Sequence, residues 1–82
     1  MITPAQCRGA RGLLKWRQED LADKAGMGIV TVRNFENDKT KPVKGTLVLL
    51  QQTLEAAGIE FIDENGGGPG VRLNRKRPAP GN

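Results

Sequence analysis

The middle of this 82-residue chain, from Gln18 to Pro42, contains two short segments in which apolar residues recur at helical spacing, with a glycine between them. Before Gly26, Ala25 lies three and four positions after Ala22 and Leu21, and after it Val32 and Phe35 lie three positions apart. That spacing gives each segment one apolar helical face, and Gly26 suits the left-handed cap that ends a helix. The segment therefore predicts two short amphipathic helices joined by a tight turn, a helix-turn-helix unit.

The flanking sequence predicts two further helices and a hairpin. Thr3 followed by Pro4 is typical of a helix start, and the β-branched run at 59–62 indicates a strand. Ala10, Leu13 and Leu14 should give the first helix its apolar face, and Leu47, Leu50 and Leu54 that of the fourth. The predicted bounds are about Pro4–Lys15, Gln18–Ala25, Ile29–Asn37 and Gly45–Ala57 for the helices, and Ile59–Ile62 and Val71–Leu73 for the strands.

These elements predict a small, mainly α protein of the α+β class. Residues 1–58 form the helix-turn-helix core, with about four helices. Residues 59–73 form a C-terminal β-hairpin, which we expect to serve as a dimerisation element because an isolated two-stranded sheet is marginal in water. Residues 74–82 are expected to be a disordered basic tail.

Charge is unevenly distributed along the chain, whose net charge is +4. Residues 1–44 carry nine lysines and arginines against five acids, residues 45–71 carry four acids and no base, and residues 72–82 carry four bases. A basic half, an acidic segment and a basic tail suit a chain that meets a polyanion with one surface. A solvated basic surface without such a partner is the alternative, and charge alone does not choose between them.

The composition argues against an enzyme or a metal protein. Cys7 is the only cysteine and histidine is absent, so the thiol lacks its usual base and the ligands of a zinc site are missing. The GGGPG stretch at 66–70 is followed by neither Lys-Ser/Thr nor a helix, so it is predicted to be a hairpin tip rather than a phosphate loop. We expect no catalytic residue, no metal and no cofactor, with Cys7 half-buried on the first helix and Trp16 packed between the first two.

At this point the residues resemble the Cro and phage-repressor type helix-turn-helix family, also called the XRE family. The resemblance covers roughly residues 6–57 and rests on residues at the family's spacing: Gln18, Leu21-Ala22, Ala25-Gly26, Val32, Phe35-Glu36-Asn37 and Pro42. The segment 56–73 is also similar to the end of small stand-alone bacterial regulators of that family. The resemblance implies binding of double-stranded DNA, with helix 3 in the major groove.

The resemblance also implies a role for individual residues. Arg11 and Glu36 match a structural ion pair that ties helix 1 to helix 3. Four residues of helix 3 fall where the family reaches base edges: Ile29, Val30, Arg33 and Asn34. Positions that contact the DNA backbone in the family are occupied by Gln18 and by the loop residues Lys39, Thr40, Lys41 and Lys44. Arg17 is also predicted to contact phosphate, because it adds a positive charge beside Gln18.

Several residues depart from the family's pattern. Arg17 and Gly28 stand where hydroxyl caps are usual, so the helices that follow them lose a cap. Asp38 replaces the usual glycine, although aspartate tolerates left-handed geometry better than most residues. Ile29 and Val30 replace polar residues, and aliphatic side chains can meet a thymine methyl group but cannot recognise guanine. An exposed Ile-Val pair beside Met27 is also typical of a protein-binding surface.

We therefore expect a sequence-specific transcriptional regulator, a repressor that binds a palindromic operator as a homodimer. The alternative is a protein-binding antiactivator or antirepressor that uses the same scaffold to block a transcription-factor partner. A third candidate is the antitoxin half of a toxin–antitoxin pair. Because the chain lacks an apolar run of the about 18 residues that span a membrane, we expect no membrane span, and we expect no secretion signal because the first residues lack its basic-then-apolar layout. A bacterial cytoplasmic location, at the nucleoid when DNA is bound, is expected.

Overall fold

A computed structural model describes residues 1–64 and 66–74 of the chain. Four helices precede two antiparallel strands: α1 Pro4–Leu14, α2 Gln18–Ala25, α3 Ile29–Glu36, α4 Lys44–Ala56, β1 Ile59–Ile62 and β2 Gly70–Leu73. The predicted fold class, a helix-turn-helix core with a C-terminal hairpin, is confirmed. The predicted disorder of residues 75–82 lies outside the described residues.

Backbone conformation explains where the predicted helix ends were wrong. Helix α1 ends at Leu14 because Lys15 is left-handed, with φ of 59°. Helix α3 ends one residue before Asn37. Helix α4 starts one residue earlier than predicted, so Lys44 is its first residue rather than part of the preceding loop. Gly26, at φ of 70°, ends α2 as predicted, and its N–H donates to the carbonyls of Ala22 and Asp23.

The core lies where the four helices and the hairpin meet. Its fully buried side chains include Leu21, Val32, Leu50 and Leu54. The prediction for Leu13 was wrong, because this side chain lies at the edge of the α1 apolar stripe and is 43% exposed. Cys7 was expected to be half-buried and is instead fully buried in the middle of that stripe.

The start of α1 is connected to the hairpin through one side chain, Gln6. Thr3 Oγ1 accepts from the Gln6 N–H at 3.1 Å, and Gln6 Oε1 accepts from the Thr3 N–H at 3.0 Å, a complete capping box. The Nε2 atom of Gln6 donates to the carbonyl oxygens of Gly70 at 3.0 Å and of Ile62 at 3.4 Å. The same amide therefore caps α1 and holds the loop end of the hairpin against it.

The hairpin has one apolar and one polar face. Ile59 pairs with Leu73 and Phe61 with Val71; Ile59 is buried, and the other three pack against the core. On the outer face Glu60 lies opposite Arg72 and forms an ion pair with it. The predicted start of the tail at residue 74 was wrong, because the Asn74 N–H donates to the Gly58 carbonyl at 2.8 Å and extends the ladder.

Candidate nucleic-acid interface

Glu36, at the end of α3, connects three helices through its buried carboxylate. Arg11 from α1 grips both oxygens, with Nη2 2.6 Å from Oε1 and Nε 2.7 Å from Oε2. Gln18, the first residue of α2, donates its amide to Oε1 at 3.1 Å. The Cys7 thiol donates to Oε2 at 3.1 Å. These four hydrogen bonds fix the position of α3 relative to α1 and α2.

The ionisation of this cluster follows from its contacts. Burial disfavours a charged Glu36, but hydrogen bonds from Arg11, Gln18 and Cys7 outweigh it and hold the Glu36 pKa below its usual range. The hydrogen bond with Glu36 raises the pKa of Arg11 further above neutrality. Burial, then the hydrogen bond to Glu36, raises the pKa of the Cys7 thiol far above its ordinary value. Near neutral pH the cluster is therefore an ionised Arg11–Glu36 pair with a neutral thiol donor.

Helix α3 presents a defined outer face opposite its buried residues. Val32, Phe35 and Glu36 are buried, and Ile29 packs against the core. At 3.6 residues per turn, the residues on the opposite side are spaced i, i+3, i+4 and i+7: Val30, Arg33, Asn34 and Asn37. The structure thus separates the predicted Ile29-Val30 pair, because Ile29 turns inward while Val30 is 55% exposed.

Two residues on the exposed side of α3 were not among the DNA contacts predicted from the sequence. Asn37 is exposed and lies seven residues after Val30 on the same face. The helical period alone would therefore have predicted its place on the outer face. Thr31 is also exposed, in the first turn. Arg33 and Asn34 have no side-chain hydrogen bond or ion pair within residues 1–64 and 66–74.

The residues predicted to contact the DNA backbone fall into two groups. Lys39, Thr40, Lys41 and Lys44 are exposed at the end of the loop and the start of α4, and none of these lysines has an acidic partner in the described part of the chain. Arg17 is also exposed but lies 2.9 Å from Glu19 and 3.5 Å from Asp20. Gln18 is half-buried and uses one amide hydrogen on Glu36, leaving the second without a partner among the described residues.

The helix N-termini near these residues have free backbone donors. Helix α1 has a full capping box, whereas no side chain of the preceding residue caps α2, α3 or α4. At the start of α2, Asp20 accepts a hydrogen bond from the Arg17 backbone N–H at 2.8 Å, and this bond lowers the pKa of Asp20. Uncapped helix N-termini, with their partial positive charge, favour anions such as phosphate.

Residues 1–64 and 66–74 contain no group of three or more carboxylate or thiol side chains placed to hold a metal ion. Among these same residues, none of the helices is long and apolar enough to cross a membrane.

Comparison with known families finds a helix-turn-helix match. The sequence pattern of the HTH_3 family, described as helix-turn-helix, matches residues 8–58, from the second turn of α1 to the residue before β1. No curated protein matches the chain. The matched residues include Glu36 with its donors Arg11 and Gln18, α3 and the lysine-rich loop, whereas Cys7 and the hairpin lie outside the match.

Proposed function

This chain belongs to the HTH_3 helix-turn-helix family and is a DNA-binding regulator of the XRE type; from that premise we propose that it recognises one operator sequence through α3 and acts as a repressor. The observation that carries the proposal is the outer face of α3. Arg33 and Asn34 stand there without partners in the described residues, on a helix fixed by the Glu36 cluster. Arginine can donate two hydrogen bonds to guanine, and asparagine can form two with adenine.

Contacts with the DNA backbone would come from the positions that flank α3. Lys39 and Lys41 in the exposed loop, with Lys44 at the start of α4, supply positive charge that no ion pair neutralises among the described residues, and Thr40 supplies a hydroxyl donor beside them. Arg17 can leave the carboxylates of Glu19 and Asp20 and bind phosphate instead, because exposed ion pairs contribute little free energy. Gln18 can donate its second amide hydrogen to phosphate while its first holds Glu36.

A homodimer on a palindromic operator is part of the proposal, with the hairpin as the dimerisation element. Because the Asn74 N–H donates to the Gly58 carbonyl, the alternation of the ladder turns the N–H and C=O groups of Ile59 and Phe61 away from β2. A groove of about 340 Å³ runs beside this edge, lined by Gly58 to Phe61 with Glu55 and Asn74. Unpaired strand edges are templates for pairing with another chain.

The test is selection of bound fragments from a random pool of duplex DNA by the full chain. We expect enrichment of an inverted repeat whose half-sites lie about 10 base pairs apart, one helical turn. The control variant Gln52→Ala, on the exposed side of α4, should enrich the same sequence. Retention of DNA without enrichment of any sequence would overturn recognition of an operator.

The second candidate, a protein-binding antiactivator, is favoured by one observation, the 55% exposure of Val30. An aliphatic side chain at the centre of a protein interface carries more binding energy than charges at its rim. This function predicts no enriched DNA sequence, together with a transcription-factor complex that Val30→Ala abolishes. The same complex should survive Val43→Ala, which truncates an exposed valine away from α3.

A further inference from the structure

Val30 is the one aliphatic side chain on the outer face of α3. The hydrogen-bonding roles proposed for Arg33 and Asn34 do not account for an apolar residue at this position. It lies one turn before Arg33 and Asn34, in the first turn of the helix. Its side chain is 55% exposed, whereas Ile29 beside it packs against the core. Val30 therefore contributes little to the fold and lies where a bound partner of α3 would meet it.

The chemistry of valine restricts what that partner group can be. Valine has no donor or acceptor, so it cannot pair with the polar edges of guanine, adenine or cytosine. The apolar group on the major-groove edge of the standard bases is the C5 methyl group of thymine. Resting on the proposed function, we propose that Val30 recognises the 5-methyl group of a pyrimidine and so determines one position of each half-site.

The backbone of α3 makes this contact selective. A valine in a helix strongly prefers one χ1 rotamer, so its two methyl groups stand in a fixed direction before DNA binds. The side chain cannot turn to find another partner when the pyrimidine methyl group is missing. Because 5-methylcytosine carries the same group at the same ring position, Val30 would also favour methylated over unmethylated cytosine there.

The experiment uses the full chain and the operator obtained from the random pool. Each thymine is replaced in turn by deoxyuridine, which removes the C5 methyl group alone. We expect one position in each half-site where the wild-type chain loses affinity by about fourfold, the factor for one methyl-sized group left in water. Val30→Ala should bind the thymine and deoxyuridine duplexes equally at that position. Val43→Ala, an exposed valine outside α3, should keep the wild-type difference.

A second pair of duplexes separates the methyl group from the base pair that carries it. Cytosine and 5-methylcytosine are placed at the same position, and the wild-type chain should prefer the methylated duplex by a similar factor while Val30→Ala does not. An operator at which no methyl group affects binding, or a methyl preference that persists in Val30→Ala, would overturn this inference and leave operator recognition intact. Failure to select any operator would overturn both.

Discussion

At the scale of single residues, Glu36 decides how α3, the proposed DNA-binding helix, is held against α1 and α2. Its carboxylate receives hydrogen bonds from Arg11, Gln18 and Cys7, each on a different segment of the chain from α3. The Arg8 guanidinium also donates to the Glu36 carbonyl at the end of the helix. The buried Glu36 carboxylate is stabilised by Arg11, Gln18 and Cys7, which lie on α1 and α2. The cluster therefore holds α3 in one position relative to those two helices.

Removing one partner of the Arg11–Glu36 pair should destabilise the fold strongly. Glu36 is 1% exposed and Arg11 18% exposed in their side chains, and loss of one partner leaves a buried charge uncompensated. We expect Arg11→Ala to lower the free energy of unfolding by about 3–5 kcal/mol, measured by urea denaturation. Glu19→Ala, which breaks the exposed pair with Arg17, is the control and should cost less than about 1 kcal/mol. Equal effects of the two variants would contradict a buried pair.

Acid should weaken the fold through the same carboxylate. The pKa of Glu36 is lowered in the folded state relative to its ordinary value of 4.5, so its contribution to stability is complete above that pH. The contribution is lost as the pH falls through the lowered, folded-state pKa. We expect the urea midpoint of the wild-type chain to fall more steeply from pH 5 to pH 3 than that of Glu36→Gln. Parallel pH profiles for the two proteins would show that Glu36 does not couple folding to protonation.

At the scale of elements, two glycines of α1 provide a matched comparison of helix propensity and packing. A Cβ atom added at Gly12 would meet nothing within 4 Å, whereas one added at Gly9 would lie 3.3 Å from Val71 Cγ2 in the hairpin. Alanine in a helix interior is favoured over glycine by about 1 kcal/mol.

Gly12→Ala should therefore raise the free energy of unfolding by up to about 1 kcal/mol, as measured by thermal or urea denaturation. Gly9→Ala should gain less or lose stability, because the new methyl group must displace Val71. A larger gain at Gly9 than at Gly12 would mean that the hairpin does not pack closely on α1.

The elements show what sequence can and cannot predict. Apolar spacing alone predicted α2 and α3, because a helical face is a local property. The helix ends were less predictable, since Lys15 adopts a left-handed conformation in which glycine is more usual. The contacts of Gln6 with Ile62 and Gly70 span 56 and 64 residues and depend on how the hairpin docks. The Arg11–Glu36 contact was expected from resemblance, but the Cys7 donor was not, because its burial depends on the same three-helix packing.

At the scale of the whole molecule, the two strand edges provide a test of the proposed dimer. The N–H groups of Phe61 and Val71 both point away from the hairpin ladder, so proline at either position removes no hydrogen bond within it. Phe61→Pro should block pairing along the β1 edge and give a monomer by light scattering. Val71→Pro, on the opposite edge, should remain a dimer. A dimer that survives Phe61→Pro would place the interface elsewhere.

General affinity for DNA and recognition of bases can be measured separately on the whole molecule. The ratio of the dissociation constants for random and operator DNA measures the recognition of bases. Arg33→Ala and Asn34→Ala should each reduce this ratio, by an amount that corresponds to about 1–3 kcal/mol of binding free energy. Lys41→Ala should weaken both complexes alike and flatten the dependence of log K on log salt by roughly one unit. All three variants alter exposed or half-buried side chains, so thermal melting should confirm that each remains folded.

The most direct measurement is this ratio for the wild-type chain, Arg33→Ala and Asn34→Ala at one salt concentration, by fluorescence anisotropy. If α3 lies in the major groove, both variants lose preference for the operator while their affinity for random DNA changes little. If the wild-type chain prefers its operator and both variants keep that preference in full, α3 is not the element that recognises the bases.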